Sequence, residues 1–192
     1  MKKGILAVAF MFLLMGKMSF ADHEGSMWSL HNVYIEPRLE AFIPFSDDLD
    51  TSLYVGGDVG YEWNEWWEFF ISIGWAESDL EGDIGDVSIV PLLFNARFNL
   101  WPGVYMVDPY IFGGLGVSLN DITVNGVPGA DIDDDFAAQV GVGADYWINE
   151  QLTAGLKLTF FFCSPDVSPA ILSDDDVELN ALQIGGNVKW RF

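Results

Sequence analysis

Eleven charged residues are best placed to do chemistry, because they recur on one face of segments whose polarity alternates residue by residue. They are Glu36, Arg38, Glu40, Asp58, Glu62, Glu68, Arg97, Asp145, Lys157, Lys189 and Arg191. An ion carries a large desolvation cost inside a protein, so six acids and five bases on an enclosed face should pair. We expect Glu68 to pair with Arg97, and Glu36 with Lys189 or Arg191. Such a cluster forms a polar pathway or only fills the space, and the sequence leaves both open.

The sequence offers few residues that could catalyse a reaction. The only histidines, His23 and His31, precede the first alternating segment, and no serine or cysteine has a histidine near it within these segments. Cys163 is the only cysteine, which excludes an internal disulfide, and we expect a buried, inert thiol. We therefore expect no enzyme, no cofactor and no dedicated metal site.

The first 21 residues are typical of a secretory signal peptide. Lys2 and Lys3 precede an apolar run that is too short to span a bilayer as a helix, and residues 19–21 supply a small-residue cleavage site. Residues 22–192 then form a single domain. Three of the eight bases leave with the signal, so the charge of this domain is 5 − 29 = −24, which excludes nucleic acid as a partner.

Acidic residues dominate the connections between the alternating segments. More than half of the 29 acids fall in residues 44–52, 77–89, 120–135 and 163–181, which contain no Lys or Arg. Carboxylate oxygens suit Ca²⁺ or Mg²⁺, but the spacing lacks the glycine and terminal glutamate of an EF-hand. A solvated acidic rim is the simpler interpretation, with cation bridging to anionic lipid headgroups as the alternative.

Eight segments carry the alternation. They cover residues 33–43, 53–63, 66–76, 90–100, 109–119, 136–147, 152–162 and the last stretch, 178–192. The alternation of the last stretch starts at Leu182. From there, and throughout the other seven segments, the apolar faces hold no charged residue, whereas the opposite faces hold all eleven of the charges named above. A charge on the lipid face of a membrane barrel costs about 2 to 4 kcal/mol, which would exclude charge this completely. The pattern predicts an all-β fold, an eight-stranded antiparallel up-and-down transmembrane β-barrel.

Alternation alone does not say which face is outside, so a soluble, lipocalin-like barrel with an apolar interior is the competing fold. The polar face is rich in glycine, which suits a crowded lumen, and the apolar face is too bulky to fit inside eight strands. Both observations favour the membrane orientation. Short connections at 64–65, 101–107 and 148–151 predict the periplasmic end, and seven of the eight Trp residues, all but Trp75, fall near it as an interfacial girdle.

Residues 90–101, 108–119, 138–160 and the final NVKWRF motif resemble the small eight-stranded outer-membrane barrels of the OmpW-like and OmpA-like porin families. The resemblance implies a place in the outer membrane of a Gram-negative cell envelope. Trp190 and Phe192 resemble the signal by which such families are recognised for insertion. The implied partners are outer-membrane lipid, lipopolysaccharide and the insertion machinery, with divalent cations at the loops as an open alternative.

The sequence and this resemblance leave two possible functions open. The first, implied by the OmpW-like resemblance, is a narrow porin-like channel or uptake protein for small molecules. The second is a non-conducting structural or surface-binding barrel whose acidic extracellular loops contact cations, lipopolysaccharide or a host surface.

Overall fold

The computed structural model describes residues 32–46, 49–79, 85–103, 106–124, 131–132, 134–163, 167–168 and 179–192. The signal segment, both histidines and Trp28 lie outside these residues. Ten strands are present: β1 (Val33–Pro44), β2 (Ser52–Glu62), β3 (Trp67–Asp79), β4 (Gly85–Asn99), β5 (Val107–Val124), β6 (Asp131–Ile132), β7 (Asp135–Trp147), β8 (Leu152–Cys163), β9 (Val167–Ser168) and β10 (Ala181–Arg191). Within this part of the chain, no helix is both long and apolar enough to cross a membrane.

Eight of the strands close into one antiparallel barrel in the order β1-β10-β8-β7-β5-β4-β3-β2. Strands that are adjacent in this order are hydrogen-bonded to each other. The barrel closes where β10 pairs with β1, and Leu39 lies opposite Gly186 there. This arrangement confirms the predicted fold class.

The alternation of side chains decides which face points outward. Leu39 is 54% exposed, whereas its neighbours Arg38 and Glu40 are 3% and 1% exposed. The same contrast recurs on β8, where Leu156 is exposed and Lys157 is buried. The charged face therefore lines the lumen and the apolar face covers the outside, as the sequence predicts.

Three strands continue beyond their predicted ends at the end of the barrel away from the short turns. We call this end the outer end, and the end with the short turns the inner end. The ladder between β3 and β4 reaches Asp79 and Asp86, and that between β4 and β5 reaches Gly85 and Val124. In these extensions the polarity is reversed, because acids such as Asp121 point outward and apolar side chains point inward. The outward-pointing side chains of these extensions meet water instead of lipid. The pattern of apolar residues outside and polar residues inside, which identified the membrane strands, therefore no longer applies.

A second, two-stranded sheet pairs β6 with β9, and thereby joins the connection after β5 to the connection after β8. It was not predicted, since two residues per strand are too few for a periodic signal.

Two of the short inner turns share one hydrogen-bond pattern. The side-chain oxygen of Asn64 accepts hydrogen bonds from the backbone N–H groups of Trp66 and Trp67 at 2.8 and 2.9 Å. Asn149 accepts equivalent bonds from Gln151 and Leu152, both at 2.9 Å. An Asn side chain that bonds to the backbone two and three residues on stabilises a tight reversal. These turns hold adjacent strands in the register that aligns the lumen charges.

The tryptophans at the inner end form most of the predicted girdle. Five of them are exposed on the outside near the short turns, namely Trp63, Trp66, Trp67, Trp101 and Trp190. The prediction for Trp147 is wrong: its indole lies at the inner mouth of the lumen, where it donates a 2.5 Å hydrogen bond to Asp108. The residue is in phase with Asp145, so its side chain must point inward.

Candidate functional site

The charged lumen is the candidate functional site. All five basic residues of the described chain lie in it, and each faces an aromatic ring. The distances from charge to ring centroid are 3.4 Å for Arg97 and Tyr110, 4.0 Å for Arg191 and Trp147, 4.3 Å for Lys189 and Tyr34, and 5.2 Å for both Arg38 with Tyr54 and Lys157 with Phe112. An aromatic face attracts a cation, so each base has a partner besides its carboxylates. Sequence reasoning missed these pairings, whose only signal is that the rings share the inward face.

Lys157 lies at the centre of the network. Its ammonium donates to Glu36 at 2.7 Å and to Asp58 at 3.0 Å, and these two acids belong to β1 and β2 on the other side of the closing seam. All three side chains are almost fully buried. Ion pairs this deeply buried are stable only if each charge keeps a partner, because an unpaired ion would not recover the hydration that burial costs it.

Four residues nearer the inner end form a closed ring of ion pairs. Arg97 lies 2.8 Å from Asp145 and 3.4 Å from Glu68. Lys189 lies 2.9 Å from Glu68 and 3.5 Å from Asp145, so both acids are shared by both bases. The pair predicted between Glu68 and Arg97 is therefore present. Lys189 also lies 3.8 Å from Glu36, as predicted, but Lys157 is the closer partner of that acid.

Arg38 occupies the outer boundary of the charged region. Its guanidinium lies 3.4 Å from Asp58 and 3.5 Å from Glu40, and donates to the Tyr54 hydroxyl at 3.2 Å. Both acids belong to β1 and β2, so this part of the network is local to one hairpin.

Uncharged groups extend the network across the opposite wall. The Gln139 amide donates to the side-chain oxygen of Asn95 at 2.6 Å, and Asn95 donates to Ser72 at 3.0 Å. These two hydrogen bonds link β7, β4 and β3 at the outer boundary of the charged region.

The inner mouth is the most accessible part of the site. Arg191 donates to Glu62 at 2.6 Å, and the two side chains are 10% and 26% exposed. Asp108 is a lumen acid that sequence reasoning missed, because β5 begins at Val107, two residues before its predicted start. Its polar phase with Tyr110 was the available signal. Arg191 pairs with Glu62 and not with Glu36, which was one of its expected partners.

The outer half of the lumen is mostly apolar, which corrects the expectation of a polar lumen throughout. Among the described residues, the buried polar side chains of this half are uncharged, and they include Ser78, Ser118, Thr159 and Gln183. A continuous cluster of buried side chains fills it, including Phe42, Leu93, Phe161, Val87, Ile89 and Ile122. Val87, Ile89 and Ile122 come from the strand extensions beyond the membrane. This part of the cluster resembles the core of a water-soluble barrel, because its apolar side chains point inward while polar side chains such as Asp86 and Asp121 point outward.

Glycines on the inward face make room for the aromatic rings. A Cβ on Gly60 would overlap the ring of Tyr34, and one on Gly143 would overlap the ring of Tyr110. In each case the glycine is the direct cross-strand partner of the ring. These two glycines are therefore explained by the rings of Tyr34 and Tyr110, each of which faces a lumen cation.

Each of the five described bases lies in an ion pair with at least one lumen acid. Cys163 is a buried free thiol in the apolar cluster, as expected. Among the described residues, no three His, Cys, Asp or Glu side chains are grouped to hold a metal ion. Divalent cation binding at the outer loops stays a prediction, because most of the loop acids lie outside the described residues.

A closed eight-stranded barrel with an apolar exterior and a charged interior is the architecture of an outer-membrane protein. The family described as "Outer membrane protein beta-barrel domain" matches residues 8–192, and the chain belongs to this family. It is a protein of the bacterial outer membrane.

Three solved structures are similar to this chain. OprG from Pseudomonas aeruginosa has 15% identity and a TM-score of 0.63, over 84% of this chain and 97% of that one. Neisserial surface protein A has 15% identity and a TM-score of 0.60, over 85% and 98%. The E. coli outer membrane protein W has 16% identity and a TM-score of 0.51, over 86% and 100%. The resemblance is confirmed, and at these identities it shows the fold alone. No curated protein is significantly similar to this chain in sequence.

Proposed function

We propose that this protein is a non-conducting outer-membrane barrel that holds a strongly acidic surface on the outside of the cell. The observation that carries the proposal is the burial of the lumen charges. The side chains of Arg38, Arg97, Lys157 and Lys189, and those of the acids they contact, are at most 3% exposed.

Passage of an ion would require two separate openings. The inner half would have to separate Lys157 from Glu36 and Arg97 from Asp145, each of which would leave a buried charge without its partner. The outer half would have to part the apolar cluster around Phe42 and Phe161, whose ring centroids lie 6.4 Å apart. Both requirements support a filled barrel.

Conductance across a planar lipid bilayer tests this part of the proposal. The refolded protein should give no discrete current steps, whereas a general porin reconstituted in the same way serves as the positive control. Discrete steps whose size changes in Arg97→Ala would overturn the proposal and favour the narrow channel or uptake protein.

If the lumen is filled, the acidic loops are the part of the molecule through which the protein would act, by binding at the cell surface. They contain no Lys or Arg, so they repel the anionic headgroups of lipopolysaccharide unless cations lie between them. We propose that divalent cations bridge these acids to headgroup phosphates. A non-enzymatic role is part of the proposal, because the described lumen contains no histidine and its thiol is buried.

Association with lipopolysaccharide tests the surface role. Protein in phospholipid nanodiscs should bind lipopolysaccharide vesicles with Mg²⁺ and release them with a chelator. Changing Asp133, Asp134, Asp135, Asp174, Asp175 and Asp176 to Asn should abolish this binding. Glu65→Gln with Glu150→Gln is the matched control, since these exposed acids lie at the inner turns. Binding that survives the loop substitutions, or that needs no divalent cation, would contradict the proposed role.

A further inference from the structure

The inward charges are segregated along the chain. The first three strands contribute Glu36, Glu40, Asp58, Glu62 and Glu68 against a single base, Arg38, which gives 1 − 5 = −4. Strands β8 and β10 contribute Lys157, Lys189 and Arg191 and no inward acid, which gives +3. The two ends of the barrel sheet therefore carry opposite charge.

Five of the described ion pairs join these two ends. They are Lys157 with Glu36 and with Asp58, Lys189 with Glu36 and with Glu68, and Arg191 with Glu62. In an open sheet, β10 and β1 are its two edges, so the charges of β8 and β10 are far from those of β1 to β3. These pairs form only after β10 has closed on β1.

When β10 pairs with β1 to close the barrel, the alternation of side chains does not by itself fix the register of the two strands. Side chains repeat every two residues along a strand, so a two-residue slip of β10 along β1 keeps every side chain on its correct face. Such a slip moves each β10 residue by about 7 Å along the seam. It would separate Lys189 from Glu68 and Arg191 from Glu62, which lie within 3 Å of each other in the observed register.

We infer that the acids of the first three strands and the bases of β8 and β10 select the register in which the barrel closes. A second contact on the seam acts in the same direction. Gly185 lies opposite Glu40, and a Cβ on Gly185 would lie 2.6 Å from Cγ of Glu40 and also overlap the β1 backbone. A two-residue slip would place Asn187 or Gln183 at that point, where their side chains do not fit.

Disulfide trapping across the seam tests the inference. In a Cys163→Ala background, Leu39→Cys with Gly186→Cys reports the observed register, because these residues lie opposite each other. Leu39→Cys with Ile184→Cys or with Val188→Cys reports a slip of two residues in either direction. The yields are compared in the protease-resistant, folded fraction, with the full chain inserted in lipid vesicles.

The double variant Lys157→Met with Lys189→Met removes three hydrogen bonds between charged groups. It should raise the ratio of slipped to observed cross-links at least about tenfold, the factor expected for losing even one of them. Arg38→Met is the matched control, since it also removes a buried base but its acids both belong to the β1–β2 hairpin. The control should leave the ratio unchanged. An unchanged ratio in the folded double variant, or an equal rise in the control, would overturn the inference.

If the double variant does not fold, the ion pair of Arg191 and Glu62 at the inner mouth provides a second test. Arg191 and Glu62 are partly exposed, so Arg191→Glu is tolerated more easily than a buried change. Arg191→Glu alone should raise the slipped fraction, and adding Glu62→Arg should restore the observed register. Failure of the second substitution to restore it would also overturn the inference.

Discussion

Lys189 and Glu68 are 121 positions apart in the chain, yet Nζ of the lysine lies 2.9 Å from Oε2 of the glutamate. They belong to β10 and β3, which are not neighbours in the barrel, so the bond crosses the lumen. Glu68 also contacts Arg97 and Asn99, and it therefore joins three strands of the inner half. Stability of the barrel should depend on such shared acids more than on any charge outside the lumen.

We expect Arg97→Ala to destabilise the barrel by about 3 to 5 kcal/mol, because it leaves two buried acids, Glu68 and Asp145, to share Lys189 as their one remaining base. Asp121→Asn, which removes an exposed acid, should change the free energy of unfolding by about 0 to 1 kcal/mol. Urea unfolding in lipid vesicles measures both. The double variant Arg97→Ala with Glu68→Ala should lose less than the sum of the single changes. Additive losses would mean that the two residues do not interact.

Gly143→Ala should destabilise the barrel by about 1 to 3 kcal/mol, because the added methyl group would overlap the Tyr110 ring. Tyr110→Leu in the same chain should recover part of this loss. Gly113→Ala is the matched control on β5, since its Cβ would meet only the Gln139 carbonyl oxygen at 3.5 Å. Equal unfolding midpoints for Gly143→Ala and Gly113→Ala would contradict the packing of ring on glycine.

Ile71→Lys should destabilise the protein in lipid by about 2 to 4 kcal/mol, because Ile71 is exposed on the lipid-facing side of β3. Thr123→Lys should be nearly neutral, although this residue also points outward. It lies in the extension of β5, where the outer face meets water. Comparison of the two unfolding midpoints in vesicles checks the position of the boundary, and a similar loss at both positions would place Thr123 in lipid.

Phe192→Ser should lower the yield of protein in the outer membrane more than it lowers stability once the barrel is folded. Phe192 and Trp190 are exposed at the inner end of the closing strand, so we expect insertion machinery to reach them. Phe160→Ser is the control, since it removes an exposed phenylalanine from β8 instead. Fractionation of cell envelopes gives the yield, and equal losses for the two variants would count against an insertion signal at Trp190 and Phe192.

The barrel was predictable from the sequence because each membrane strand repeats a strong local pattern. Glu36, Arg38 and Glu40 alternate with apolar residues, and nothing distant in the chain changes that phase. The phase also placed all eleven charges in the lumen and brought Glu68 next to Arg97. Local periodicity was sufficient wherever lipid covers one face.

The remaining features depend on contacts between distant strands. The ring of Tyr110 under Arg97 joins neighbouring strands, and Lys157 reaches Asp58 across the closing seam. Neither has a local signature. Ile122 falls within the predicted connection 120–135 because its part of β5 has apolar residues inside and polar residues outside, which is the reverse of the membrane pattern. Knowledge of where the lipid ends was required to interpret it.

The reversal of polarity falls on one rung of the sheet. Glu77, Ser88 and Asp121 are cross-strand partners on β3, β4 and β5, and the outward residues on their membrane side are Trp75, Val90 and Leu119. Three strands thus fix the same upper edge of the hydrocarbon layer, to within a single residue pair. A bilayer that is too thick would cover Glu77 and Asp121, and one that is too thin would leave Leu119 in water, so hydrophobic mismatch should sort this barrel among membranes by their thickness.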